Sequence, residues 1–186
     1  MADAFDAVVL AGGAARRLGG ADKPGLEVGG RPLLDRVLSA VGDADRVVVV
    51  GPRRTTERPV TWTREDPIGG GPVAALAAGL AEVSADRVVV LAGDLPFLRS
   101  DHVARLLRLV DADGALAIDD GGRDQLLLGA WRTAALRAAL PDVVAGARLG
   151  ALVEGLDAVR VLFEGTPAPW FDCDTDDDLT TARGLT

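Results

Sequence analysis

The chain has 186 residues, with 28 acidic against 20 basic side chains and a formal net charge of −8. That length suits one α/β domain with a large core, so residues 1–186 are read as a single domain. The acidic balance gives no support for a broad nucleic-acid footprint, but it leaves room for an anionic small ligand on a local basic loop. The single cysteine, Cys173, excludes an internal disulfide and a multi-cysteine metal site. No stretch approaches the roughly 20 apolar residues that span a bilayer, and the opening MADAFD lacks the basic and apolar parts of a signal peptide. A cytoplasmic location away from membranes is therefore expected.

In chain order, Asp6 to Ala11 forms a first buried strand and runs into GGAARRLGGADKPG. A glycine-rich loop leaves backbone N–H groups free to face an anion. Arg16, Arg17 and Lys23 supply charge for a phosphate chain. The alternative is a tight strand-to-helix turn with solvated basic residues. The loop is not a Walker A motif, because Lys23 stands between Asp22 and Pro24 with no adjacent hydroxyl, and its glycines lack dinucleotide spacing. A helix over 32–41 follows, with Pro32 in its first turn, then strands over 46–50 and 60–63. A Pro/Gly loop over 66–71 leads into an alanine-rich helix over 72–83. Next come a strand over 87–92, a helix capped by Ser100 and running to about Val110, and two strands, 115–118 and 125–129, around a DDGGRD turn. Helices over 133–140 and 149–156, a strand over 159–163 and a helix starting near Asp176 complete the chain. Apolar strands alternating with helices imply a three-layer, mostly parallel, doubly wound α/β sheet with helices on both faces and a small antiparallel hairpin.

Ligands in such sheets gather at the carboxyl ends of the strands, which brings Ala11–Gly13 and Ala92–Asp94 to one edge. Asp94 there suits a Mg2+ ion bridging phosphate oxygens, or else ends a turn before Leu95 and Pro96. In REDPIGGGP, Asp66 either accepts hydrogen bonds from a base or ribose or braces loop N–H groups. In FDCDTDDDL, Asp174 is a candidate second metal ligand, while Asp176 reads as the cap of the last helix and Asp177 and Asp178 suit its positive end. Cys173 reads as a buried small side chain, His102 as a surface residue, and Trp170 with Phe171 as an anchor for the last segment.

These residues carry a resemblance over nearly the whole chain. VVLAGGAARRLGGADKPGLEVGGRPLLDRVL, EDPIGGGPVAALAAGL, VVVLAGDLPFL, RDQLLLGAWR and FDCDTDDDL resemble, in order, the motifs of the molybdenum cofactor guanylyltransferase family of small nucleotidyltransferases. The resemblance implies a nucleotide-diphospho-sugar transferase-like fold. It also implies transfer of GMP from GTP to molybdopterin or the molybdenum cofactor, with release of pyrophosphate. Leu10, Ala11, Gly12 and Gly13 would contact the nucleotide through backbone, Arg17 and Lys23 would hold the triphosphate, Asp66 would lie at the nucleoside, and Asp94 would bind Mg2+. Partner proteins that deliver or receive the cofactor are implied as well. Two departures stand out: there is no asparagine near the expected base site or anywhere else, and Asp172 and Asp174 occupy closing positions that are usually asparagine in the family. A cytidylyltransferase, another transferase with a phosphorylated acceptor, and a non-catalytic nucleotide-binding regulator are the alternatives.

Overall fold

The structure, a computed structural model, describes residues 4–12 and 23–186. Gly13, Arg16 and Arg17 of the basic loop lie outside the described residues. Strand β1 (Asp6–Leu10) is buried along its whole length. It pairs in parallel with β4 (Arg46–Val50) on one side and β6 (Arg87–Ala92) on the other. β5 (Thr61–Thr63) adds in parallel outside β4, and β8 (Asp124–Arg132) runs antiparallel beside β6. The five-stranded order is thus β5-β4-β1-β6-β8. A short hairpin of β2 (Glu27–Val28) and β3 (Arg31–Pro32) follows the basic loop. β7 (Gly114–Ile118) pairs in parallel with β9 (Ala158–Leu162). β7 also lies alongside β8, bonded at both ends: Arg132 N–H donates to the Asp113 carbonyl at 2.9 Å and Asp119 N–H to the Arg123 carbonyl at 3.0 Å. The expected DDGGRD hairpin is therefore present, although its second strand continues past the expected end to Arg132 and pairs with β6.

Alternation along β1 divides the core in two, because successive side chains of a strand point to opposite faces. Ala7 and Val9 join the cluster beneath α1 (Leu33–Ala40) and α3 (Ser100–Arg108). Val8 and Leu10 join that beneath α2 (Pro72–Ala81), α4 (Thr133–Ala138) and α5 (Leu149–Glu154). Gly79 permits close packing of α2 on the sheet: a Cβ there would stand 2.4 Å from Val8 Cγ1. The buried carboxylate of Asp6 is satisfied by the N–H groups of Ser84 and Ala85 at 2.7 and 3.0 Å, tying β1 to the loop before β6.

Four local readings need correction. Pro32 ends β3 instead of entering α1, since its ψ of 142° is extended. Ser100 is the first residue of α3, not its cap; Arg99 precedes the helix, and its N–H donates to His102 Nδ1 at 3.2 Å. That contact explains why His102 is buried, edge-on to Phe163 at 5.2 Å between ring centroids, and not at the surface. The last helix, α6 (Asp176–Gly184), is capped by Thr175 and not Asp176. Thr175 Oγ1 accepts from Asp178 N–H at 3.2 Å, while Asp178 Oδ2 accepts from Thr175 N–H at 2.8 Å.

Candidate active site

The strand order reverses direction around β1. The chain leaves β1 toward β4 and β5, then returns to place β6 on the opposite side. Such a switch point opens a crevice at the carboxyl ends of the strands. Ala11 and Gly12 leave β1 there, and Gly93 and Asp94 leave β6 beside them. Gly93 N–H donates to the Leu10 carbonyl at 3.0 Å, and Ala11 N–H to the Val50 carbonyl at 2.9 Å. Gly51, after β4, completes a floor of closely spaced backbone. Its φ is 151°, and a Cβ there would stand 2.7 Å from the Ala11 carbonyl oxygen. Gly12 itself is exposed, so its backbone is available to a ligand.

Lys23 begins a short 3-10 turn, Lys23–Gly25, held by Leu26 N–H donating to the Lys23 carbonyl at 3.0 Å. Its ammonium pairs with Asp94 from the end of β6 and donates to Asp174 from the segment before α6. The side chains of Lys23 and Asp94 are each 15% exposed, against 48% for Asp174. Burial works against the Lys23 charge, but the neighbouring Asp94 and Asp174 outweigh it and hold the ammonium above its ordinary range. The cation and one of its two carboxylates thus meet from 151 positions apart in the chain. Asp172 sits beside them; burial first, then the like charges of Asp174 and Asp94, push its carboxyl above the usual range.

A cleft of about 680 Å³ opens from Asp94, Asp172 and Asp174 across β8 to Leu149 and Gly150, with Trp170 in its wall. Pro72 at the start of α2 also lines it. Four carboxylates lie on this wall, and Asp124 among them is neutralised by Arg160 at 3.0 Å. Arg148 is the one basic side chain on the lining among the described residues. Sequence reading missed Arg148, whose isolated position in a polar turn carries no pattern. It also missed Arg54, whose Nη1 donates to the Ala11 carbonyl at 3.2 Å and joins the floor after β4 to the loop after β1.

The structure therefore brings Leu10, Ala11, Gly12, Lys23, Asp94 and Asp174 to one edge. Gly13 and Arg17 lie outside the described residues. Asp66 is exposed on the loop between β5 and α2 and does not line the cleft. The loop-bracing role falls to its neighbour Glu65, whose Oε1 accepts from Gly69 N–H at 3.1 Å. Cys173 is fully buried and its thiol is pushed up to about 12, chiefly by burial and then by Asp94, so it is no nucleophile at neutral pH. Phe171 packs edge-on to Phe97 at 5.5 Å and Trp170 lies against the core, as an anchor requires. Among the described residues, no helix is long and apolar enough to cross a membrane.

Comparison with known proteins agrees with this geometry. Residues 7–159 match the family model described as the MobA-like NTP transferase domain. A molybdenum cofactor guanylyltransferase from Bradyrhizobium sp. (strain ORS 278) is 32% identical over 199 aligned residues, covering 98% of this chain and 93% of the relative. Among solved structures, the molybdopterin-guanine dinucleotide biosynthesis protein A of Archaeoglobus fulgidus superposes with a TM-score of 0.75 at 22% identity, covering 97% of each chain. The 2-C-methyl-D-erythritol 4-phosphate cytidylyltransferase of Thermus thermophilus superposes with a TM-score of 0.67 at 24% identity, covering 96% of each chain. These two structural likenesses establish the shared fold. With its switch-point site and a match over most of its length, the chain belongs to the MobA-like NTP transferase domain family, a family of nucleotidyltransferases.

Proposed function

We propose that this chain, acting as one cytoplasmic domain, transfers GMP from GTP to a terminal phosphate of molybdopterin or of its molybdenum-bearing form. An acceptor phosphate oxygen attacks the α-phosphorus, the α–β phosphoanhydride bond breaks, and pyrophosphate leaves with its bonding electrons. The acceptor supplies the nucleophile, so no protein nucleophile is required, which agrees with the inert Cys173 and the buried His102. The work left to the protein is alignment and charge stabilisation. The observation that carries the reading is the Lys23 ammonium, held by Asp94 and Asp174, two carboxylates on the lining of the cleft at the carboxyl edge of the sheet.

Each residue has a task in this scheme. The backbone of Leu10 to Gly13 receives the nucleoside and the first phosphates. Lys23 and Arg17 neutralise the triphosphate and the departing pyrophosphate. Asp94 and Asp174 keep Lys23 at the reacting end until substrate arrives. Asp66 serves the nucleoside from its exposed loop. Arg148, the lone cation on the described cleft wall, holds the anionic acceptor. Mg2+ fits this donor set, because it binds through one or two carboxylates plus substrate phosphates, and Asp94 with Asp174 already face a common cation. When bound, it would offset charge on the phosphate oxygens.

The names of the guanylyltransferase relatives support guanine as the base. Cytidylyl transfer is the second reading, favoured by one observation: Asp172 and Asp174 stand on the cleft wall at closing positions that are usually asparagine in the guanylyltransferase family. Equilibrium binding of GTP, CTP, ATP and UTP, each with Mg2+ and with chelator, separates them. Mg2+-supported preference for GTP is expected. Preference for CTP would transfer the assignment to the cytidylyl reading, and Asp94→Asn is expected to remove the Mg2+ dependence in either case.

A further inference from the structure

A second groove, of about 370 Å³, lies between α1 and the loop that follows β6, and among the described residues it shares no lining residue with the cleft. Its described walls carry three guanidinium groups, those of Arg31, Arg36 and Arg99, two hydroxyls, those of Ser39 and Ser100, and no carboxylate. In a chain of net charge −8 this concentration runs against the composition.

The hydrogen bonds leave each arginine with an uncommitted end. Arg31 gives Nε to Glu57 at 3.0 Å, and its Nη2 is shared between the Glu57 carboxylate and Ser39 Oγ, the latter at 2.6 Å. Arg99 gives Nε and Nη2 to Asp101 at 3.0 and 2.8 Å. Neither Nη1 is engaged among the described residues. Arg36 differs from both in having no carboxylate partner among the described residues. Its Nε donates to the Val28 carbonyl at 2.8 Å, its Nη1 reaches the Pro96 carbonyl only at 3.4 Å, and its Nη2 is uncommitted. Burial, then the like charge of Arg31, lowers the pKa of Arg36. Arg31 and Arg99 each have a carboxylate partner outside the groove, so Arg36 is the guanidinium on the described lining left for an added anion to pair with. Guanidinium forks match the oxygen spacing of phosphate groups.

We propose that this groove is a binding site for a phosphate-type oxyanion, either orthophosphate or pyrophosphate, centred on Arg36 with Arg31, Arg99 and the Ser100 hydroxyl around it, the Ser39 hydroxyl being committed to the Asp35 carbonyl at 3.0 Å. The site is separate from the nucleotide site and does not depend on which base the protein transfers. It touches the loop that carries Asp94: Pro96, two residues on, accepts from Arg36, and Phe97 lines the groove while its ring packs on Phe171 beside Asp172.

The test is calorimetric titration of the full chain with orthophosphate and, separately, with pyrophosphate, in the absence of nucleotide. Lys23→Ala combined with Arg148→Ala is the background that weakens anion binding at the cleft. One binding event is expected to persist in it, and Arg36→Gln is expected to weaken that event about tenfold or more. Arg99→Gln, at an exposed position that leaves the core untouched, is expected to weaken it severalfold. The tighter of the two probes identifies the source of the oxyanion. Loss of all binding in that background, or a residual event indifferent to both Arg36→Gln and Arg99→Gln, overturns the proposal.

Discussion

Replacing Lys23 with alanine is expected to move two affinities in opposite directions. In the folded protein its ammonium serves Asp94 and Asp174 at once, and the side chains of Lys23 and Asp94 are each only 15% exposed. A hydrogen bond to a charged group contributes about 1.5–3 kcal/mol, and each 1.4 kcal/mol is tenfold in affinity. Loss of the lysine should therefore weaken nucleoside triphosphate binding by about 10- to 100-fold. The same substitution leaves Asp94, Asp174 and the already repelled Asp172 without their cation. A divalent ion then no longer competes with the ammonium, so Mg2+ or Mn2+ should bind the nucleotide-free protein more tightly than wild type. Calorimetry with nucleotide, and separately with Mn2+ followed by its paramagnetic relaxation, reads both effects. Unchanged nucleotide affinity, or weakened ion binding in Lys23→Ala, refutes the assignment of Lys23 as the shared cation of the site.

Arg148→Ala should raise the KM for the phosphorylated acceptor about tenfold or more while leaving nucleotide affinity within about twofold, because Arg148 lines only the β8 side of the cleft; steady-state kinetics with each substrate varied makes the distinction. Gly51→Ala places a Cβ 2.7 Å from the Ala11 carbonyl oxygen, at a φ that side chains rarely adopt. An overpacking cost of about 1–3 kcal/mol is expected, seen by calorimetry as a Tm lower by about 2–4 °C per kcal/mol, together with weaker nucleotide binding. His102 has its pKa lowered, first by burial and then by Arg99 and Arg105. A depressed folded pKa means that the unfolded chain binds the proton more readily, so this contribution to stability is complete above the unfolded value and is lost as pH falls through the folded one. Denaturation curves taken above and below the ordinary imidazole range should show acid destabilisation that His102→Asn reduces.

The fold was largely legible because β1, β4 and β6 are continuous apolar runs bounded by glycine or proline, and such runs mark strands buried on both faces. The elements misread were those where a side-chain contact overrides a local signal. Ser100 looks like a cap, yet the bond from Arg99 N–H to His102 Nδ1 shifts the role outward and draws the histidine inside. Thr175 takes the cap from Asp176 because Asp178 reciprocates three residues on. At the site, Lys23 and Asp94 were legible from motif and strand order, and Asp174 from its place in the closing acidic segment. Arg148 was not, since only the folding of α5 against β8 gives it a cleft to face. Glu65 and Asp66 are adjacent carboxylates in one loop, and sequence does not distinguish which of them turns back to bind Gly69.

The most direct test of the central claim is a transfer assay with purified protein, molybdopterin, Mg2+ and each of GTP and CTP in parallel, with pyrophosphate release and the mass of the product followed together. Guanylyl transfer predicts stoichiometric pyrophosphate and a guanine dinucleotide product with GTP, little turnover with CTP, and none with Asp94→Asn. Turnover with CTP alone, or nucleotide binding with no pyrophosphate from either, contradicts it.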